Sequence, residues 1–205
     1  MNSKDCRCLE TFLRSKYQGN NELGIPFIRK QEIDLTDVCL ISYSDTRENA
    51  SAEARKKGVH FFIDDYRFEG VYKKPEKSFK KLAQYSFVCT PDFSLYAEMP
   101  KWRMIESIAK NRYCGAYWQD RGLKVIPTVS WALKSSFSFC FEGIEKHSIV
   151  AVSTLGCKKE KLNFMRGYDG MLETIEPDTI VCLDKPFPEM EGNVICVDYL
   201  ASRRG

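Results

Sequence analysis

The sequence predicts an α/β fold: a single domain built on a mostly parallel sheet of about seven strands alternating with helices. Three observations carry that prediction. Residues 148–186 read as an apolar strand, a helical crossover and a second strand that must run parallel to the first. Residues 38–63 repeat the pattern. Between and after these units, apolar runs bounded by turn residues keep alternating with amphipathic stretches, and no repeat, low-complexity tract or linker divides the 205 residues. Two architectures satisfy the pattern, a doubly wound open sheet and a small or incomplete β/α barrel, a full barrel usually taking ~250 residues.

In chain order, residues 1–36 form a lead-in arm. It has Cys6 and Cys8, a short amphipathic piece at 9–17 and a Gly/Asn turn at 19–21. Residues 37–205 form the α/β domain. The strand at 38–43 leads to Asp45, a suitable N-cap for a helix through Lys57, with Gly58 ending it before the strand at 59–63. Pro75 suits the first position of a basic helix over 75–85. A third strand covers 87–90. Apolar residues recurring from Met104 to Ala116 make 101–119 the strongest helix. A fourth strand at 124–129 contains Pro127, which implies an edge, a bulge or an early end. Residues 131–144 are Ser/Phe-rich with helical character. In the crossover after the strand at 148–153, Gly167 and Gly170 predict a broken helix with Asp169 capping its second piece. Strands at 179–183 and 193–197 complete the set.

Composition narrows the function classes. The chain is 43% hydrophobic and 13% aromatic, enough for a sizeable core. A net charge of +3, from 31 basic and 28 acidic residues, implies no polyanionic partner by itself, so any basic site has to be local. Nine cysteines is an odd number, and Cys39, Cys89, Cys140, Cys182 and Cys196 lie in apolar runs, which reads as reduced core thiols of a cytosolic protein. No apolar run approaches the ~20 residues of a membrane span, and the charged N-terminus has no signal-peptide core. The expectation is a protein of the bacterial cytoplasm with no membrane partner.

Both architectures gather chemistry at the carboxyl ends of the strands. That edge collects Asp64 and Asp65, Asp92 and Ser94, Ser130 and Trp131, Ser153 and Thr154, and Asp184 and Lys185. Asp64, Asp65 and Asp92 are the candidate catalytic residues. Asp64 or Asp65, with Asp92 and Asp184, can hold Mg²⁺ or Mn²⁺ for phosphodiester chemistry, hard cations taking carboxylate and phosphate oxygens. If the strand continues through them, alternation sends only one of Asp64 and Asp65 toward the site. Aspartates after strands also serve as turn formers and N-caps.

Ser153, Thr154, Gly156 and Lys158 precede a helix start and form the candidate phosphate site, although they match neither the P-loop nor the dinucleotide signature. An ordinary polar cap reads the same way. Arg67, Ser94, Ser130, Trp131 and Lys185 complete the candidate pocket. Basic and aromatic residues interleave over 66–81 and 101–118, among them Lys73, Lys74, Arg112, Tyr113 and Trp118. This is the composition of a single-stranded nucleic-acid surface, and equally of a helix with aromatics packed inward. Cys157 is a poor candidate nucleophile, since His147 lies at the opposite end of its strand. His147 and His60 read as surface or edge residues, and Cys6 with Cys8 offers at most half of a metal site.

The runs FFIDDYRFEG (61–70), TPDFSLYAEMP (90–100), NRYCGAYWQDRGLKVIPTVSW (111–131), FCFEGI (139–144) and AVSTLG (151–156) resemble the DUF4417 family of phage and bacterial mobile-element proteins, from about Cys39 to Pro186. The resemblance implies one fold and a mobile-element setting, and supplies no chemistry. Three readings of function stand together: an α/β protein that binds or acts on a phosphate-bearing ligand (nucleic acid or nucleotide) with a divalent cation, a nucleic-acid-binding module using the basic and aromatic face, and a non-catalytic factor that engages a host or element-encoded protein. An open strand-end face favours the first, and one filled by its own side chains the last.

Overall fold

The computed structural model describes residues 3–203, except for the side chains of Lys4 and Cys6. The Cys6 half of the Cys-x-Cys pair therefore lies outside the described residues, and Cys8 is exposed. The helices are α1 (Ser3–Arg7), α2 (Glu10–Leu13), α3 (Ala52–Arg55), α4 (Gly70–Lys73), α5 (Pro75–Leu82), α6 (Lys101–Gln119), α7 (Phe137–Cys140), α8 (Lys161–Ile175) and α9 (Tyr199–Ser202). The strands are β1 (Leu40–Ser42), β2 (Gly58–His60), β3 (Phe87–Cys89), β4 (Val125–Ile126), β5 (Ile149–Ser153), β6 (Thr179–Leu183) and β7 (Val194–Val197).

All seven strands fall where the apolar runs predict them, and every pairing is parallel. Four of them pair in the order β1-β2-β3-β4 and three in the order β5-β6-β7. The groups meet where Pro127 ends β4. Lacking an N–H, Pro127 stops the ladder, but its carbonyl accepts from Ala151 N (2.9 Å), and Val129 N donates to Ala151 O (2.8 Å). Strand order thus follows chain order throughout. A doubly wound sheet reverses at a switch point; this one does not, and it has the arrangement of an incomplete β/α barrel.

Side-chain alternation agrees. Leu40, Phe87, Cys89, Ile126, Ala151, Val181, Leu183 and Val197, together with Phe62 just past β2, form one inner cluster fed by six strands and the segment that follows β2. Their sequence neighbours Ile41, Val59, Val88 and Val125 face outward onto α6, while Val150, Val152, Ile180 and Cys182 face α8. Gly58 is an inner position. A Cβ there would lie 2.1 Å from the Phe87 ring, so Gly58 opens β2 rather than ending a helix. No β7–β1 pairing exists among the described residues. Instead α9 lies beside β1.

Two expectations about helices are corrected. The helix expected from Asp45 to Lys57 is a 3₁₀ turn at Tyr43–Asp45 followed by one helical turn, α3, capped by the Ser51 hydroxyl. The crossover helix is not broken: α8 runs straight through Gly167 and Gly170. Gly167 is there for packing, since its Cβ would lie 2.2 Å from Trp131. Residues 131–144 have the expected helical character, in a 3₁₀ turn at Lys134–Ser136 and the short α7.

The lead-in arm is fastened to the domain. Arg14 donates to Tyr113 Oη (3.0 Å) and the Tyr72 carbonyl (2.8 Å), and Ile25 and Ile28 are 1% and 0% exposed. Cys89, Cys140 and Cys182 are buried as expected, whereas Cys39 and Cys196 are exposed. No helix among the described residues is long and apolar enough to cross a membrane.

Candidate functional site

A cavity of about 510 Å³ opens at the carboxyl ends of the strands. It is lined by Phe62, Ile63, Asp64 and Arg67 after β2, Asp92 after β3, and Val129, Ser130 and Trp131 after β4. Ser153, Leu155 and Cys157 come from the end of β5, Phe164 from α8, and Tyr199 and Arg203 from the segment after β7. Phe62, Trp131 and Phe164 make an apolar wall, and the Trp131 and Phe164 ring centroids are 5.1 Å apart. The slot left by Gly167 sets the position of Trp131. Trp118, by contrast, is fully buried and stacks on Phe61 in the core.

Asp92 is the most perturbed acid of the cavity. Its Oδ1 is buried and has no hydrogen-bond partner in the protein. Burial pushes its pKa up to about 7; a hydrogen bond from Ser130 opposes the shift and the charge of Asp65 adds to it. The floor beneath it is stapled by α6. Asn111 Nδ2 donates to the carbonyls of Pro91 (2.8 Å) and Thr128 (3.2 Å). Arg112 donates to the carbonyls of Glu142 (2.9 Å), Cys140 (2.8 Å) and Thr128 (3.1 Å) and to Asn111 Oδ1 (2.6 Å). Thr90 and Thr128 add a polar rung between the ends of β3 and β4. Asp92 and Ser130 therefore stand on loop ends held by side chains.

Two guanidinium groups face the cavity from the ends of different strands. Arg67 lies 3.7 Å from Asp64, and Arg203 4.0 Å from Asp45. Arg203 also borders His60, which corrects the expectation of a surface histidine. His60 is 0% exposed on the inner face of β2. Its Nδ1 accepts from Phe62 N (3.2 Å), so its Nε2–H faces the Ser202 hydroxyl (3.0 Å). Burial, helped by the Arg203 charge, lowers its pKa to about 3, and the ring is neutral. His147 is exposed beside Glu176 and Asp178, as expected.

The chain matches the family described as "Domain of unknown function (DUF4417)" over residues 17–200. It belongs to DUF4417. Among its relatives, the Gene 1 protein of Mycobacterium phage L5 is 34% identical over 188 residues, covering 87% of this chain and 81% of the phage protein. The Gene 1 protein of Mycobacterium phage D29 is 32% identical over 189 residues, covering 87% of this chain and 69% of that one. No solved structure matches. The family match reaches past the 39–186 window on both sides, and so takes in most of the arm together with β7 and Tyr199.

In this DUF4417 chain the sequence-predicted residues divide cleanly. Asp64, Arg67, Asp92, Ser130, Trp131 and Ser153 share the cavity. β2 ends at His60, so strand alternation does not reach these aspartates; Asp64 lines the cavity, while Asp65, at the start of a 3₁₀ turn, accepts from Ser94 N (3.1 Å) and Ser94 Oγ (2.8 Å), tying two strand-end loops together. Asp184 and Lys185 do not line it; their segment is occupied by Thr154, which is buried and donates to the Lys185 carbonyl (2.9 Å). Gly156 adopts φ 78° and leads into a 3₁₀ turn, so α8 begins only at Lys161, and the exposed Lys158 stays outside the cavity. Among the described residues, no three His, Cys, Asp or Glu side chains gather as a metal site. Cys157 does reach the cavity, but burial and the Asp92 charge raise its pKa and keep it a thiol. Of the basic and aromatic series, Arg112, Tyr113, Tyr117 and Trp118 are buried and belong to the core. Sequence reasoning missed Tyr199 and Arg203, which lie beyond the last predicted strand at 193–197. The only local signal was Asp198, whose carboxylate caps α9 by accepting from Ala201 N (2.6 Å).

Proposed function

We propose that the strand-end cavity binds a phosphate-bearing small ligand, a nucleotide being the class that uses all of its walls. One observation carries the reading: Arg67 and Arg203 face a single cavity that also has an aromatic wall and a buried carboxyl with an unpartnered oxygen. Guanidinium groups match phosphate oxygens with paired N–H donors. Phe62 and Trp131 offer flat apolar surface for a base. Asp92, with a pKa near neutrality, can donate from its protonated form or accept from its ionised form, and in a reacting complex it is the residue suited to exchange a proton. The volume of about 510 Å³ lies in the usual range for small-ligand sites. A divalent ion, if used, would bind through Asp64, Asp92 and the ligand's own phosphate oxygens.

Calorimetric titration with nucleoside mono-, di- and triphosphates, with and without Mg²⁺, tests this. Arg67→Ala and Arg203→Ala are each expected to weaken binding by about 1.5–3 kcal/mol, roughly ten- to a hundredfold. Failure of every phosphate compound to bind the folded wild type, or affinities unchanged in both variants, would overturn the proposal. A cavity left open, rather than filled by its own side chains, also favours this reading over that of a purely protein-binding factor.

A further inference from the structure

A second concavity, of about 430 Å³, lies between the loop after β1 and helices α4 and α5. Lys73, Lys74, Lys77 and Lys81 line it against a single acid, Glu48. Lys77 and Lys81 are four apart on α5 and share a face, while Lys73 ends α4 and Lys74, at the break between the two helices, joins them at the same concavity. Lys73 pairs with Glu69 at 3.0 Å. Lys74, Lys77 and Lys81 have no ion pair among the described residues. Lys81 is half-buried with its ammonium 4.0 Å from the Tyr43 ring centroid, and Tyr43 is backed by Phe61 at 4.7 Å. Burial lowers the Lys81 pKa, so the fold pays to hold this cation in place. Like charges this close repel one another, and among the described residues only Glu48 in the groove and Glu69 beside Lys73 oppose four amines, although the net charge is only +3.

We infer that this groove binds the phosphate backbone of a nucleic acid, with Lys74, Lys77 and Lys81 each neutralising a phosphate. Charge complementarity selects that occupant: a row of amines on one face, with one acid among them, fits a chain of regularly spaced anions. No side chain of the groove is a base-reading arginine or a free aromatic face, since Tyr43 is covered by Phe61 on one side and Lys81 on the other. Binding is therefore independent of sequence. The groove and the strand-end cavity lie on either side of the turn at residues 43–45, where Tyr43 lines the groove and Asp45 meets Arg203. The inference does not depend on the cavity's ligand.

The test is fluorescence anisotropy of labelled single-stranded and duplex oligonucleotides against a salt series. Three neutralised phosphates predict that affinity falls about 20-fold for a single strand, or about 40-fold for a duplex, between ~50 and ~200 mM salt. The Lys74→Ala/Lys77→Ala/Lys81→Ala variant is expected to lose this slope, each substitution removing about one unit of it for a duplex and somewhat less for a single strand. The Lys74→Ala/Lys77→Ala pair touches only exposed side chains, so it keeps the melting temperature while losing two-thirds of the slope. Arg203→Ala, in the cavity, leaves oligonucleotide binding unchanged. Absence of binding to either oligonucleotide at ~50 mM salt, or a slope unaltered in the lysine variants, overturns the inference. A slope that survives the lysine changes but disappears in Arg203→Ala also overturns it, by assigning the phosphates to the cavity.

Discussion

Replacing Asp92 by Asn tests the electrostatics of the cavity directly. The carboxyl is held near pKa 7, against about 3.8 when exposed, because its Oδ1 is cut off from water without a compensating donor. The folded protein therefore retains a proton that the unfolded chain releases, and stability must fall as pH rises from ~4 to ~7. A three-unit shift corresponds to at most ~4 kcal/mol. Asp92 keeps part of its surface toward the cavity, so about half of that, ~2 kcal/mol, is the expected size. Asn has the same shape and no charge. Urea unfolding of both proteins across the pH range should give curves that coincide near pH ~4, separate between ~4 and ~7, and stay apart above, with the variant more stable by ~2 kcal/mol and its melting temperature higher by roughly 4–8 °C. Taking the difference between the two proteins cancels Glu69, Glu106 and the other paired carboxylates, whose lowered pKa values act in the opposite direction. A constant offset at all pH values, or an Asn variant less stable at pH ~8, would refute a buried, charge-averse Asp92.

His60 should produce the opposite slope. Its folded pKa of about 3 lies below the ordinary 6.5, so stability present above ~6.5 is lost as pH falls toward ~3, by up to ~5 kcal/mol. His60→Gln, followed by urea unfolding at pH ~7 and ~4.5, is expected to cost ~1–3 kcal/mol at neutrality through its lost hydrogen bonds and to flatten the acid decline; an equal decline in both proteins counts against a buried neutral imidazole. Arg112→Met removes the donor from two otherwise separate carbonyl oxygens, those of Glu142 and Cys140, and should destabilise by about 3–5 kcal/mol, offset in part by removal of a desolvated charge. Urea unfolding would measure it, and a loss under ~1 kcal/mol would remove its stapling role.

How far the sequence reached follows from the range of the interactions. The seven strands were legible because each is a short apolar run whose inward and outward residues alternate, a local property. The sites after them were legible for the same reason: a residue just past a strand's carboxyl end has few places to go, and Asp64, Asp92, Ser130, Trp131 and Ser153 meet in the cavity. Local signals misled where a distant partner set the outcome. Gly167 looked like a helix break, but Trp131 arrives from β4 to fill the space its missing side chain leaves, and α8 continues. Gly58 looked like a helix end, and the Phe87 ring explains it instead. Arg112 looked like a surface cation, yet carbonyls from the end of β4 and the end of α7 converge to surround it. His60 and Ser202 meet across 142 residues, and that contact brings Tyr199 and Arg203 over the cavity. The sequence by itself determined which segments are strands and which ends carry the polar groups. Only the tertiary structure decided that the strands curl in chain order into an incomplete barrel, that Asp65 and Thr154 hold loops while Asp64 and Ser153 face the cavity, and that the C-terminal helix completes it. The physical reason is that strand identity depends on neighbours a few residues away, whereas the site is assembled from close contacts between residues far apart along the chain.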